Sequence, residues 1–242
     1  MAATQTRTKP GILARVFTWF LPWFFNQLYH QFSWIYDLVA CLVSLGQWQT
    51  WVKSVIPFIR SSLVLELGHG PGHLQAALLA QGIQCIGLDL SKQMGRQAYR
   101  RLRRLHLQPR LINARSQDMP FAGGAFPQIV VTFPSEYIVA PNTLSEIYRI
   151  LSPGGSAAVL LFAWITGQNV IEKGAAWLFR VTGESPIWND SFLAPARAVG
   201  FLARSEIILL PKSKLLVLHL DKPLESSINS LHLTTHPSGF LL

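Results

Sequence analysis

The sequence predicts an α/β protein built on a doubly wound, mostly parallel β-sheet. Short apolar runs alternate with helix-like segments along the chain, which is typical of a parallel sheet with helices on both faces. The predicted strands cover 64–67, 83–90, 128–133, 157–163, 205–210 and 214–220. Half of the 242 residues are hydrophobic and 14% are charged, which excludes a disordered chain and allows a sizeable core. One domain with decorations fits this length.

The first predicted strand runs directly into a glycine-rich loop. The stretch Leu63–Leu74 reads LVLELGHGPGHL, with Glu66 near the end of the strand and glycines at Gly68, Gly70 and Gly72. Glycines here let the backbone turn tightly and approach a ligand that a Cβ would keep away. A loop for a dinucleotide pyrophosphate would place its third glycine one residue later, where this chain has a histidine. The loop therefore predicts a site for a ligand with an adenosine end.

The second predicted strand ends at an acidic residue, Asp89. A carboxylate at the end of such a strand can accept hydrogen bonds from both ribose hydroxyls of an adenosine. The alternative is that Asp89 caps the helix that opens at Ser91 and Lys92, since Asp is favoured at that position. Acidic residues of dinucleotide-binding folds bind ribose in the same way, so the glycine spacing has to distinguish between cofactors.

Four segments, in order along 63–163, resemble the motifs of the class I S-adenosylmethionine-dependent methyltransferases. Glu66 and the three glycines match the first motif, and Asp89 matches the acidic residue of the second strand. Ser116–Phe121, followed by GGAF, resembles the third motif, which lines the adenine edge. Leu144–Gly155 and the apolar run after it resemble the helix, Pro-Gly-Gly turn and fifth strand of the type-11, ubiquinone/menaquinone C-methyltransferase-like subgroup. Ordered matches of this kind are far more specific than one glycine loop.

The resemblance implies a fold, a cofactor and a set of binding residues. The fold would be a Rossmann-like, seven-stranded sheet with a C-terminal antiparallel hairpin and an N-terminal helical lid. The cofactor would be S-adenosyl-L-methionine. Its expected binding residues are Tyr36, Glu66, Gly68, Gly70, Gly72, Asp89, Leu90, Ser116, Gln117 and Phe133. The chain departs from the family at Arg115 and Pro127, where the family usually has Asp.

The segment after the fourth predicted strand supplies the candidates for the substrate side. It reads TFPSEY, and Phe133, Glu136 and Tyr137 follow the strand where ligands bind in open α/β sheets. Glu136 and Tyr137 are the candidate catalytic residues, and the alternative for Glu136 is an exposed loop carboxylate. The segment lacks the Asn/Asp-Pro-Pro-aromatic signature of amino-group methylation, which argues against nucleic acid and protein amide targets.

The N-terminal block, 1–60, is expected to form an aromatic-rich helical lid. Pro22 and several polar residues interrupt its apolar stretches, so no transmembrane helix is predicted. Tyr36 and Asp37 resemble a pair that lies beside the methionine end of the cofactor in the family; alternatively, Tyr36 is a core aromatic. Residues 61–220 would be the methyltransferase domain, with 164–200 as a second wall of the substrate pocket. The tail, 221–242, is expected to be loosely ordered.

Charge indicates an acidic partner or a solubilising surface. The formal net charge is +9, and five arginines fall within one predicted helix: Arg96, Arg100, Arg101, Arg103 and Arg104. A membrane surface is preferred over nucleic acid, because the aromatic residues concentrate in the N-terminal block instead of alternating with the charges. Cys41 and Cys85 are expected to be packed thiols in a cytoplasmic protein. No metal site is expected, because the histidines show no ligand spacing.

The sequence thus predicts a methyltransferase of a small hydrophobic molecule, such as a quinone precursor or lipid. A methyltransferase of a water-soluble small molecule is the nearest alternative. A non-catalytic scaffold that binds the cofactor and a nicotinamide oxidoreductase remain as further alternatives. The sequence leaves open the methyl acceptor, the attacked atom and the oligomeric state.

Overall fold

The computed structural model describes residues 44–166 and 190–224. Within them, seven strands form one sheet in the order β3-β2-β1-β4-β5-β7-β6. The strands are β1 (Leu63–Leu67), β2 (Gln84–Asp89), β3 (Leu111–Asn113), β4 (Phe126–Thr132), β5 (Leu151–Ile165), β6 (Leu202–Leu210) and β7 (Ser213–Asp221). All described strand pairs are parallel except those of β7, which runs antiparallel between β5 and β6. The predicted mostly parallel sheet with its C-terminal antiparallel hairpin is confirmed.

Helices cover both faces of this sheet. They are α1 (Trp48–Lys53), α2 (His73–Ala80), α3 (Lys92–Arg104), α4 (Pro141–Ile150) and α5 (Ala194–Val199). Three short 3₁₀ helices join them at Ile56–Phe58, Glu136–Val139 and Asp190–Leu193. Ser91 caps α3, since its side-chain oxygen accepts a hydrogen bond from the Met94 amide at 3.3 Å.

Two apolar clusters, one on each face, hold the layers together. Alternate residues of a strand point to opposite faces, so β1 contributes Leu65 and Leu67 to the cluster that includes α4. The same strand contributes Val64 to the cluster that includes Trp51 of α1 and Leu78 of α2. Since β1 is covered on both faces, it reads as a continuous apolar run with one exception, Glu66.

The strand order reverses between β1 and β4. From β1 the chain first moves outward through β2 to β3, and then returns to β4 and continues to β5 on the other side. In open α/β sheets the ligand binds at such a switch point, beyond the carboxyl ends of the strands. The loop after β1 and the segment after β4 therefore meet at the position where a ligand is expected.

Three differences from the predicted elements have local causes. β3 has only three half-buried or exposed residues and carries no apolar pattern that would predict it. β5 begins at Leu151 and includes the Pro-Gly-Gly turn, because this segment pairs with the end of β7: the Gly154 amide donates to the Lys222 carbonyl at 3.1 Å. β7 includes Asp221, and the Lys222 ammonium donates to the carbonyls of Tyr148 and Leu151.

Several expected features lie outside the described residues. These are Tyr36, Cys41 and most of the expected lid before residue 44, most of the expected substrate wall in 167–189, and the tail beyond 224. In the part of the chain that the structure describes, no helix is both long enough and apolar enough to cross a membrane.

Candidate functional site

The loop between β1 and α2 is fixed against the end of β2 by backbone hydrogen bonds. The Gly68 amide donates to the Leu88 carbonyl at 2.7 Å, and the Gly70 amide donates to Asp89 Oδ2 at 2.9 Å. Gly70 has φ +52°, a conformation that residues with a Cβ rarely adopt. A Cβ built on Gly70 would meet no atom within 4 Å, so the space above the loop is open to a ligand.

Gly72 has a different reason to be glycine. A Cβ on it would lie 2.9 Å from the Cβ of Ala98 in α3. Gly72 also has φ +81° and precedes the first residue of α2. Gly72 therefore has to be glycine because the loop packs closely against α3. The space that is open to a ligand lies at Gly70.

Asp89 holds the loop through hydrogen bonds and can still accept further hydrogen bonds from a ligand. Its Oδ2 accepts from the Gly70 amide, and its Oδ1 accepts from the Ser91 amide at 2.7 Å. Each carboxylate oxygen has a second lone pair, so both can still accept a hydrogen bond from a ligand hydroxyl. The alternative in which Asp89 caps α3 is wrong, because Ser91 occupies the cap position and accepts from Met94.

Glu66 is a buried carboxyl group beneath the loop. It is only 1% exposed, and its Oε2 has no hydrogen-bond partner in the structure. Burial, with a smaller contribution from the negative charge of Asp89, raises the pKa of Glu66 well above its usual range. An unpartnered buried oxygen of this kind fits a site whose ligand supplies a polar group.

His69 is a buried side chain within the glycine loop. It is 4% exposed, and its Nδ1 lies 2.7 Å from the Gly70 carbonyl, which requires the proton on Nδ1. Burial lowers the pKa of His69, although the Asp89 charge acts in the opposite direction. Gly87 of β2 leaves room for this ring, since a Cβ there would lie 2.8 Å from His69 Cδ2. His69 is thus a neutral side chain that holds the loop from below.

Tyr137 reaches the loop from the other half of the sheet. A Cβ built on Gly68 would lie 2.7 Å from the Tyr137 hydroxyl oxygen, which places that hydroxyl directly over the loop. Glu136, the other candidate catalytic residue, is exposed at the start of the 3₁₀ helix Glu136–Val139. The structure therefore brings Tyr137 to the loop, while Glu136 has the exposure expected of an ordinary loop carboxylate.

Phe133 forms an aromatic contact where β4 ends. Its ring stacks on Trp48 with centroids 4.6 Å apart, and its centroid lies 6.2 Å from that of Trp51. Phe133 has φ +49°, an unfavourable conformation for a bulky residue, and its amide donates to the Leu160 carbonyl at 2.8 Å. Strained backbone of this kind persists only where the surroundings hold it, and here α1 covers the ring.

Ser116 and Gln117 lie half-buried in a turn after β3, between Arg115 and Asp118. The segment that follows is tied to α4 through Met119. Its amide donates to Glu146 Oε2 at 2.8 Å, and its carbonyl accepts from Arg149 at 3.0 Å. Arg149 also bonds Glu146 at 2.6 Å and lowers the pKa of that carboxyl. This network fixes the position of the turn relative to the sheet.

A cavity of about 350 Å³ opens beside the ends of β2 and β3, lined in part by His69, Asp89, Ser91 and Asn113. Leu90, 66% exposed, follows Asp89 at the same edge. Asn113 was missed by the sequence analysis, yet its Nδ2 donates to the carbonyls of Asp89 at 2.9 Å and Leu90 at 2.7 Å. Because the three-residue β3 has no apolar pattern of its own, nothing in the sequence marks Asn113 as the end of a strand.

These residues fit an adenosine-bearing cofactor. The open space at Gly70, the two Asp89 oxygens and the exposed Leu90 could receive its sugar and base. Glu66 is buried in the strand before the loop, the Tyr137 hydroxyl lies against Gly68, and Phe133 packs on Trp48 where β4 ends. Among the described residues, no three or more His, Cys, Asp or Glu side chains group as metal ligands would.

Comparison with known proteins supports this interpretation of the site. Residues 64–155 match a protein family described as a methyltransferase domain. The chain is 29% identical over 143 residues to a demethylmenaquinone methyltransferase from Clavibacter sepedonicus, which covers 57% of this chain and 58% of that protein. It is 30% identical over 133 residues to the Thermus thermophilus enzyme of the same name, which covers 52% of this chain and 60% of that protein. The chain thus spans about three fifths of the length of these relatives.

Solved structures show the same fold at low sequence identity. A putative S-adenosyl-L-methionine-dependent methyltransferase from Methanococcus maripaludis matches with a TM-score of 0.54 at 18% identity, covering 81% of this chain and 92% of that one. A Haemonchus contortus phosphoethanolamine N-methyltransferase, solved with S-adenosylhomocysteine, matches with a TM-score of 0.56 at 14% identity, covering 74% of this chain and 53% of that one. In sequence over 64–155 and in fold, the chain is therefore similar to S-adenosylmethionine-dependent methyltransferases, including those named as demethylmenaquinone methyltransferases.

Proposed function

We propose that the protein is an S-adenosyl-L-methionine-dependent methyltransferase that acts on a small hydrophobic molecule, such as a quinone precursor or lipid. The observation that carries this proposal is the arrangement at the switch point of the sheet. There the Gly70 amide is hydrogen-bonded to Asp89, the space above Gly70 is open, and the Tyr137 hydroxyl lies against Gly68. The named relatives, the demethylmenaquinone methyltransferases, support the substrate class.

The cofactor would be held by the loop and the strand ends. Asp89 would accept hydrogen bonds from the ribose hydroxyls, and Leu90, Ser116 and Gln117 would border the adenine. Gly68 and Gly70 would allow close approach of the backbone, and Glu66 would support the loop from below. When bound, this cofactor supplies a methyl group already activated by a sulfonium leaving group. The protein then has to align the acceptor with that methyl group and to exclude water.

The acceptor would lie on the β4 side of the site. Phe133 and Trp48 form an apolar wall where β4 ends, which suits a flat or apolar molecule. The Tyr137 hydroxyl lies at the loop on this side, so it would orient the acceptor through a hydrogen bond. Glu136 is the less favoured candidate, because its side chain is exposed.

The direct test is methyl transfer from S-adenosyl-L-methionine, labelled in its methyl group, to demethylmenaquinone in detergent. We expect label in the extracted quinone with the wild-type protein and little with Tyr137→Phe. Tyr148→Phe is the matched control: Tyr148 packs against Phe201, with ring centroids 5.0 Å apart, and should keep normal activity. Label transferred to a water-soluble acceptor instead would overturn the hydrophobic substrate class.

A cofactor-binding scaffold without catalytic activity is the second candidate. The observation that favours it is the Tyr137 hydroxyl over Gly68, since a side chain in this position could fill the space that an acceptor needs. Binding of the cofactor without methyl transfer to any quinone, lipid or soluble acceptor would favour the scaffold over the enzyme.

A further inference from the structure

A groove of about 670 Å³ lies between α1, α2 and α3. We call it the basic groove, because five of its lining residues are basic: Lys53, His73, Arg100, Arg101 and Arg104. None of the described residues that line it is Asp or Glu. The basic groove therefore concentrates positive charge from Lys53 of α1 and from three arginines of α3 in one concave surface, with His73 of α2 beside them.

The sequence of α3 builds one wall of this groove. Met94, Ala98 and Leu102 are buried and fix the helix against the sheet. Arg100, Arg101 and Arg104 then fall on one side at the spacing of neighbours on a helix surface, together with Gln97. Arg101 also donates to the Pro71 carbonyl, which ties the helix to the loop before α2.

The positive side chains of the groove repel one another, which raises the free energy of the folded protein. Arg100 and Arg104 stand four residues apart on α3, a spacing at which like charges repel each other. Lys53 of α1 adds a further positive charge, and it is exposed, as are Arg100 and Arg104. An anionic ligand seated in the groove would relieve this repulsion, and phosphate groups are the natural partners of Arg and Lys.

Two observations favour lipid phosphate over nucleic acid. No Phe, Tyr or Trp is among the described residues that line the groove, so it offers no platform on which bases could stack. Its rim includes Leu105, an apolar residue that is 54% exposed next to Arg104. The sequence that leads into α1 is rich in Trp and Phe, including Trp19, Phe20, Trp23 and Phe24, which suit a membrane interface.

We propose that the basic groove binds the phosphate groups of anionic phospholipids and thereby docks the protein on a membrane surface. This groove lies between helices and borders the glycine loop, since Arg101 donates to the Pro71 carbonyl, but the docking does not depend on methyl transfer. Anionic lipid attracts surface Lys and Arg residues within a screening length of the bilayer, so the interaction should weaken as salt is raised.

The test is co-sedimentation of the full chain with vesicles of phosphatidylcholine alone and of phosphatidylcholine with phosphatidylglycerol. The groove variant is Lys53→Gln with Arg104→Gln. The control variant is Arg60→Gln with Arg103→Gln, which removes the same charge from exposed residues that do not line the groove. Each basic residue near an anionic surface contributes about a fivefold factor in affinity, so we expect about thirtyfold weaker binding for the groove variant. The control variant should bind nearly as well as the wild type.

Each other outcome would overturn the proposal. Equal losses in both variants would mean that overall charge drives binding, and no binding of the wild type to anionic vesicles would exclude docking. Binding of inorganic phosphate by a wild-type protein that does not bind anionic vesicles would indicate a site for free phosphate. Tighter binding to single-stranded RNA, lost in the groove variant, would indicate nucleic acid. Binding of S-adenosyl-L-methionine by the same variants is measured separately. A loss of vesicle binding with normal cofactor binding concerns only this proposal, and a loss of cofactor binding concerns the methyltransferase proposal.

Discussion

At the scale of single residues, Glu66 is the unusual group of the site, because a carboxyl is buried in a parallel strand without a partner for Oε2. Because the pKa of Glu66 is raised in the folded protein, this carboxyl ionises at lower pH in the unfolded chain than in the folded one. Stability linked to Glu66 is therefore fully present below its unfolded pKa, near 4.5, and is lost as pH rises toward the folded pKa. The slope in this window is about 1.4 kcal/mol per pH unit.

Glu66→Gln should remove this dependence. We expect the variant to gain stability relative to the wild type as pH rises from 5 to 8, as measured by urea unfolding at each pH. At pH 4 the two proteins should differ little through ionisation, because Glu66 is largely protonated in both states. Parallel stability profiles for wild type and variant across this range would contradict the assignment of a buried, neutral Glu66.

The role of Gly70 in cofactor binding can be tested with Gly82 as a matched control glycine. Gly70 and Gly82 both have positive φ, and a Cβ on either would meet no atom within 4 Å. Gly70→Ala and Gly82→Ala should each cost about 1–2 kcal/mol of stability through backbone strain. Only Gly70→Ala should also weaken binding of S-adenosyl-L-methionine, because its Cβ occupies the space where the cofactor approaches. Equal cofactor affinity in the two variants, measured by calorimetry, would count against the loop as the binding site.

At the scale of elements, a buried hydrogen bond between Trp51 and Ser213 joins α1 to the sheet. Trp51 Nε1 donates to Ser213 Oγ of β7 at 2.8 Å, and both residues are buried. Trp51→Phe should cost about 1–3 kcal/mol, because it leaves the buried hydroxyl of Ser213 without its donor. The control is Trp51→Phe with Ser213→Ala, which removes both partners and should recover part of the loss in urea unfolding. Additive losses would show that the two side chains are not coupled.

The turn that carries Ser116 and Gln117 depends on α4. Glu146→Gln would weaken the bonds to the Met119 amide and to Arg149, and so would loosen the turn. We expect a several-fold loss in affinity for S-adenosyl-L-methionine, with only a small effect on stability because the pair is partly exposed. Glu206→Gln, which alters the contacts of Glu206 with Arg204 and His219 in β6 and β7, should leave affinity unchanged. A change of cofactor affinity in Glu206→Gln alone would contradict this role of α4.

Elements with strong local patterns were predictable, and those that depend on tertiary contacts were not. β1 and β2 are apolar runs followed by glycines and an acidic residue, so both the strands and the residues at their ends could be read from the chain. β3 has three residues and takes its strand conformation from pairing with β2, so Asn113 gave no signal. The assignment of the cap to Ser91 also needed the structure, since Asp89 and Ser91 are both good capping residues.

At the scale of the whole molecule, two candidate binding surfaces form around one sheet: the site at the switch point and the basic groove. The switch point between β1 and β4 gathers the glycine loop, Asp89, Tyr137 and Phe133 on one side. Lys53 of α1 and the arginines of α3 bring positive charge together in the basic groove, beside His73 of α2. The sequence predicted the arginines of α3 but not Lys53 and His73 as their neighbours, because that proximity arises only when three helices pack on one face.

The central claim is that the Gly70 loop and Asp89 hold S-adenosyl-L-methionine. The most direct test is calorimetric titration of the wild type and of Asp89→Ala with S-adenosylmethionine, S-adenosylhomocysteine and NAD. We predict that the wild type binds S-adenosylmethionine and S-adenosylhomocysteine and not NAD. The variant should bind them about tenfold to a hundredfold more weakly, because it loses hydrogen bonds to a charged acceptor. Preferential binding of NAD, or unchanged affinity in Asp89→Ala, would contradict the claim.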